Sequence, residues 1–233
     1  MLALRSALFM VWFLCLTLIL AILCLPLLAG PRGGAVWLGR VWSKATLWGL
    51  KVFAGTHMRV TGTPPAGPVL VAAKHMSMWD TLALHLALGD PGIVLKRELL
   101  NIPFYGWYLG KAAAIPIERA AGARALRLMT DAARKVLDQG RPVLIFPEGT
   151  RKKPGAPPDY KPGVAGLYAM LDVACVPVAL DSGVYWRGFW KRPGTITLAF
   201  LEPIPPGLKR AAFMPLLEQR IEQATQALVA RAS

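Results

Sequence analysis

From Ala7 to Ala29 the chain runs 23 residues without a charged side chain. As a helix that stretch spans about 35 Å, enough to cross the hydrocarbon core of a bilayer. A cleaved signal peptide has an apolar centre of only about 7–15 residues. Pro26 lies near the end, where a kink costs least. Beyond it, Trp37, Val41, Ala45, Trp48 and Val52 recur at helical spacing, while Arg40, Lys44 and Lys51 fall on another face. That pattern suits a helix lying in a membrane interface. It equally suits an amphipathic helix packed on a globular domain. We expect residues 1–55 to form a membrane anchor, an apolar helix over 7–29 followed by an amphipathic basic helix over 35–53. Arg5 precedes the apolar stretch, and Arg32, Arg40, Lys44 and Lys51 follow it, which puts the rest of the chain on the cytoplasmic side. The pattern is compatible with a helix that spans and with one that re-enters.

The anchor accounts for the composition. The 233 residues are 55% hydrophobic and 17% charged, against about 25% charged for an ordinary soluble domain. Lys and Arg outnumber Asp and Glu by 27 to 13, a net charge of +14. Such a surplus attracts anions. A nucleic-acid partner would call for a basic reading helix, aromatic stacking motifs or a zinc module, and none is present, so we expect no nucleic acid. An anionic bilayer explains the charge and the apolar start together. Cys15, Cys24 and Cys175 have the spacing of neither a disulfide framework nor a metal site.

Residues 56–233 read as an α/β domain. Short apolar strands over 68–73, 93–95, 115–117, 143–146, 175–180 and 195–200 alternate with helices over 79–88, 123–137, 163–171 and 208–230. Segments 152–159 and 185–193 read as loops. Alternation of this kind predicts a mostly parallel sheet flanked by helices.

Two stretches carry chemistry. Lys74-His75-Met76-Ser77-Met78-Trp79-Asp80 follows the first of these strands. Five residues rotate about 140° on a regular helix, so His75 and Asp80 meet only if His75 lies in the turn and Asp80 in the first helical turn. There a carboxylate on one imidazole nitrogen makes the other a better base. On spacing alone the pair fits an ordinary polar turn with a helix-capping Asp equally well. The second stretch, Val143–Arg151 (VLIFPEGTR), delivers Glu148, Gly149, Thr150 and Arg151 to a strand's carboxyl end, where open α/β sheets gather their sites. Gly149 permits close backbone approach, Arg151 offers a fork for phosphate, and Glu148 can accept from a hydroxyl. Taken alone this too is compatible with a simple turn and a surface Arg. His57 and His85 read as structural, and Ser77 lacks the Gly-x-Ser-x-Gly setting of a hydrolase.

The two stretches together resemble the glycerophospholipid acyltransferases, most nearly the bacterial 1-acyl-sn-glycerol-3-phosphate (lysophosphatidic acid) acyltransferases. The resemblance covers about residues 57–206. It places a further block at Gly110–Arg119, making Arg119 a phosphate-binding residue, and another at Val176–Val178. One departure is Lys74, where the family most often has Asn. The resemblance implies that His75 and Asp80 are catalytic and that Arg119, Glu148, Gly149, Thr150 and Arg151 bind substrate. It implies transfer of a fatty acyl group from acyl-CoA or acyl-carrier protein to the sn-2 hydroxyl of 1-acylglycerol-3-phosphate, forming phosphatidic acid, with no cofactor and no metal. It also implies a bacterial inner membrane as the location. Acceptors such as lyso-ornithine lipid, and a non-catalytic lipid-binding protein of the same fold, are the alternatives.

Overall fold

The structure, a computed structural model, describes residues 1–118 and 122–232. Its first helix, α1 (Leu2–Leu23), starts earlier and ends sooner than the apolar run. Pro26, which has no N–H to donate, sits in a 3-10 turn over Leu25–Leu28 that reverses the chain. Helix α2 (Arg32–Gly49) then returns and continues as a wider turn over Leu50–Ala54. The two helices form an antiparallel hairpin: Trp12 Nε1 donates to Ala45 O at 3.1 Å and Trp42 Nε1 to Thr17 Oγ1 at 2.9 Å. α1 is long and apolar enough to cross a membrane by length and composition.

The remaining elements are β1 (Thr56–Thr61), β2 (Leu70–Ala73), α3 (Trp79–Leu88), β3 (Gly92–Lys96), α4 (Tyr105–Lys111), β4 (Ile115–Ile117), α5 (Gly122–Leu137), β5 (Val143–Ile145), α6 (Gly163–Leu171), β6 (Cys175–Leu180), α7 (Ser182–Tyr185), β7 (Trp186–Arg187), β8 (Trp190–Lys191), β9 (Gly194–Phe200) and α8 (Arg210–Ala232). Among the described residues one sheet has the order β1-β9-β6-β2-β5-β3-β4. Its neighbours are parallel except β6 and β9, the mostly parallel sheet that alternating strands and helices call for. The segment expected to be a loop over 185–193 instead folds into the β7–β8 hairpin, because Gly188 takes a positive φ of 53° at its turn.

The period-2 alternation of β2 divides the core. Leu70 and Ala72 face a cluster built with α5, α6 and α8, whereas Val71 and Ala73 face one shared with α1, the turn after α2, and α3. All four are fully buried, as expected for a central parallel strand covered on both faces. α1 contributes Phe9 to the second cluster, and Phe9 meets Trp186 edge to face at 5.3 Å. The face that α2 turns inward mixes apolar, small and polar residues, with Ala35, Val36, Leu38, Ser43, Thr46 and Gly49 buried. Trp37, Trp48 and Val52 stay exposed.

Candidate active site

β2 ends at Ala73 and α3 begins at Trp79, so Lys74–Met78 form a tight turn. Asp80 in the first turn of α3 is wholly buried. Its Oδ2 accepts from the backbone N–H of Met76 at 2.6 Å and of Ser77 at 2.8 Å, and lies 2.9 Å from His75 Nδ1. An acceptor there holds the proton on Nδ1 and leaves Nε2 as the basic nitrogen. The imidazole stacks on Phe146 with centroids 4.0 Å apart, and His75 O accepts from Lys152 N–H at 2.8 Å. The ring is thereby held from its edge, its face and its backbone.

Asp80 has a further partner that the sequence reading missed. Ser182 Oγ donates to Asp80 Oδ1. Ser77 Oγ lies 3.3 Å from that oxygen and 2.9 Å from Ser182 Oγ. Ser182 opens α7 just past the carboxyl end of β6, the edge where parallel sheets gather their sites. That position was its only signal. Its neighbour Asp181 is buried and accepts from Thr197 N–H at 2.8 Å. Burial pushes the Asp181 carboxyl up to about 6, with the nearby Asp80 charge adding to the effect.

His75 opens on a cavity of about 780 Å³. One part of its wall is apolar, with Ile93, Leu95, Leu109, Leu126 and Met129. Another part is polar and cationic, with Lys96, Gly149, Thr150, Arg151, Lys161 and Arg210. Gly149 turns the chain at φ 62° and donates to Phe146 O at 2.9 Å, a conformation that a side chain disfavours. Tyr105 lines the same cavity; burial raises its phenol pKa, with the Arg151 charge pulling against it. Sequence reasoning did not single out Lys96, Lys161 or Arg210. Lys96 sits at the carboxyl end of β3, which could have drawn notice, whereas nothing local marks Arg210. Arg119 lies outside the described residues. Ile117 and Gly122 on either side of it line the cavity.

Glu148 is placed differently from its three followers. It is 1% exposed and behind the wall, with Oε1 2.8 Å from Lys74 Nζ. Burial raises its carboxyl pKa, and the Lys74 ammonium opposes that rise. A largely apolar cavity that also carries several cationic side chains and a histidine backed by a carboxylate fits an amphiphile with an anionic head and a hydroxyl to be deprotonated.

A sequence model of the family described as Acyltransferase matches residues 57–181. The 1-acyl-sn-glycerol-3-phosphate acyltransferase of Pseudomonas aeruginosa is 36% identical over 159 residues, 66% of this chain and 62% of that protein's own length. The alpha form of the same enzyme from Ovis aries is 30% identical over 213 residues, 88% of this chain and 73% of its own. The crystal structure of the 1-acyl-sn-glycerophosphate (LPA) acyltransferase PlsC from Thermotoga maritima superimposes over the whole of both chains with a TM-score of 0.81 at 20% identity, a likeness of fold.

Proposed function

The chain belongs to the acyltransferase family, and on that premise we propose that it moves a fatty acyl group from a thioester to the sn-2 hydroxyl of 1-acylglycerol-3-phosphate. The observation that carries the proposal is the 2.9 Å contact between His75 Nδ1 and a fully buried Asp80, at the wall of a mostly apolar cavity that also carries Lys96, Arg151, Lys161 and Arg210. His75 Nε2 takes the proton of the acceptor hydroxyl as its oxygen bonds to the thioester carbonyl carbon. The tetrahedral intermediate collapses with breakage of the C–S bond, and the imidazolium returns the proton to the departing thiolate. Asp80 holds the tautomer and stabilises the imidazolium between the two steps. Arg151 in the cavity wall, and Arg119 from the family pattern, hold the acceptor phosphate. Gly149 and Thr150 shape the wall beside it, and the apolar part takes an acyl chain. The thioester donor is acyl-CoA or acyl-carrier protein.

The exposed outer stripe of α1 (Leu4, Leu8, Val11, Leu14, Leu18) and the exposed Trp37 and Trp48 of α2 support a membrane anchor over residues 1–55, with the remainder as the acyltransferase domain on the cytoplasmic side of a bacterial inner membrane. Removing a general base costs roughly 10²–10⁴-fold. Purified His75→Ala should therefore lose acyl transfer while keeping its melting temperature and its binding to vesicles. Near-normal transfer by that variant would remove the mechanism. A panel of lysolipid acceptors offered to the parent with one labelled thioester tests the acceptor, and preference for a lysolipid without phosphate would redirect it.

A further inference from the structure

Lys74 stands immediately before the base. It occupies the position where this chain departs from its family's usual Asn, and the chemistry above makes no use of it. The side chain is 2% exposed. It continues the register of Leu70 and Ala72, pointing toward the α5–α6–α8 layer while His75 points to the cavity. Nζ lies 2.8 Å from Glu148 Oε1 and 2.7 Å from Glu222 Oε1. Glu222, on α8, also accepts from Tyr160 OH at 3.0 Å. One ammonium therefore joins three segments distant in sequence: the turn that bears His75, the Glu148–Arg151 segment and the C-terminal helix.

The joint reaches the base by two short routes. The chain that leaves Glu148 supplies Lys152, whose N–H donates to His75 O, and the chain that enters it supplies Phe146, which lies under the imidazole. Without the ammonium, two carboxylates would face each other, Glu148 almost wholly buried and Glu222 at the edge of the adjoining cavity. An unpaired buried charge is not tolerated; the site must take up a proton or move. There is room to move, because a cavity of about 290 Å³ lined by Lys74, Glu222 and Thr225 adjoins the joint. Thr225 Oγ1 there is buried and without a partner among the described residues.

We infer that Lys74 is a positioning residue for acyl transfer: by bridging Glu148 and Glu222 it holds the Glu148–Arg151 segment and α8 in the arrangement that keeps His75 on Asp80. The inference rests on His75 being the base. It also assigns α8, far from that base in sequence, to the support of the catalytic turn.

The test is steady-state kinetics on the full-length protein, with melting temperature as the control for folding. Lys74→Met keeps the bulk of the stem and removes the charge. Because small misplacements of a reacting group cost up to about 100-fold, kcat should fall about tenfold or more, with KM for both substrates nearly unchanged. Lys74→Met/Glu148→Gln, which also removes the more buried of the two stranded charges and the repulsion between them, should recover about fivefold or more of that loss. A folded Lys74→Met with less than about a threefold loss of kcat overturns the inference, as does a double variant no faster than the single one. Should Lys74→Met fail to fold, Glu222→Gln at the less buried end of the bridge decides: a fall in kcat of about threefold or more at unchanged KM supports the inference, and an unchanged kcat overturns it. A fully active His75→Ala would instead defeat the reading of the base, so the two failures are told apart.

Discussion

Asp80 accepts from two backbone N–H groups, from His75 and from Ser182, with no exposure to solvent. Four donors converge on one side chain, so Asp80 organises the turn as well as the imidazole. Asp80→Asn places an amide N–H where one of those donors must be accepted, favouring the wrong tautomer of His75. Its kcat should fall by about 10²-fold or more, with the melting temperature also lowered. Ser182→Ala keeps Ser77 as a neighbour of Oδ1 and should cost kcat only about three- to tenfold, with KM unchanged, less than the full loss of a hydrogen bond to a charged group because Ser77 can donate in its place. Asp181 gives a pH signature. Its folded value of about 6 lies above the ordinary value of about 3.9, so the folded protein holds the proton more tightly than the unfolded chain. Its contribution to stability is therefore present at low pH and is lost as pH rises from about 4 to about 6. Asp181→Asn keeps an acceptor for Thr197 N–H and removes the charge. It should raise the melting temperature at pH 7.5 and leave it nearly unchanged at pH 4.

At the scale of elements, the α1–α2 hairpin depends on close approach. A Cβ at Gly49 would lie 2.1 Å from the Trp12 indole, and that ring is pinned by its bond to Ala45 O and by contacts with Trp48 and Phe53. Gly49→Ala should destabilise the protein by about 1–3 kcal/mol, the usual cost of overpacking, seen in thermal melts and in faster tryptic cleavage at Arg40 and Lys44. The other end of α1 is held by the β7–β8 hairpin. Lys191 N–H donates to Ser6 Oγ, and the buried Lys191 ammonium donates to Gly188 O and Phe189 O with the Trp186 ring centroid 4.6 Å away. Burial holds that ammonium down at about 8. α8 reaches the sheet through Phe213, Leu217 and Ile221, and Glu222, the residue after Ile221, meets Lys74. The helix that closes one face of the core thus also contacts Lys74, in the turn that bears His75.

For the whole molecule, the membrane anchor proposed above would join the net charge of +14 to the exposed apolar stripe of α1 on an anionic bilayer. The electrostatic share is screened within about 8 Å at physiological salt, whereas the apolar share is not. Binding to vesicles containing anionic lipid should weaken as salt rises from about 0.05 to 0.5 M yet not vanish, and binding to neutral vesicles should show the residual apolar part alone. Complete release by salt would count against insertion of α1.

Much of this molecule is legible from local sequence. The helices Trp79–Leu88 and Gly163–Leu171 and the strands Ile115–Ile117 and Cys175–Leu180 are bounded as their apolar runs and flanking breakers require. His75 and Asp80 are a contact between neighbours along the chain, so spacing and a strand end suffice to suggest it. The short helix α4 and the β7–β8 hairpin escaped notice because aromatic, Gly-containing segments carry no clean period. What tertiary structure alone decided is which distant groups meet. Ser182 reaches Asp80 across 102 positions, and Lys74 reaches Glu222 across 148. Glu148 stands behind the wall that its motif suggested it would line. Periodicity and turn chemistry act over a few residues and can be read from a string. The partner of a buried charge is set by which helix the folded sheet brings over it.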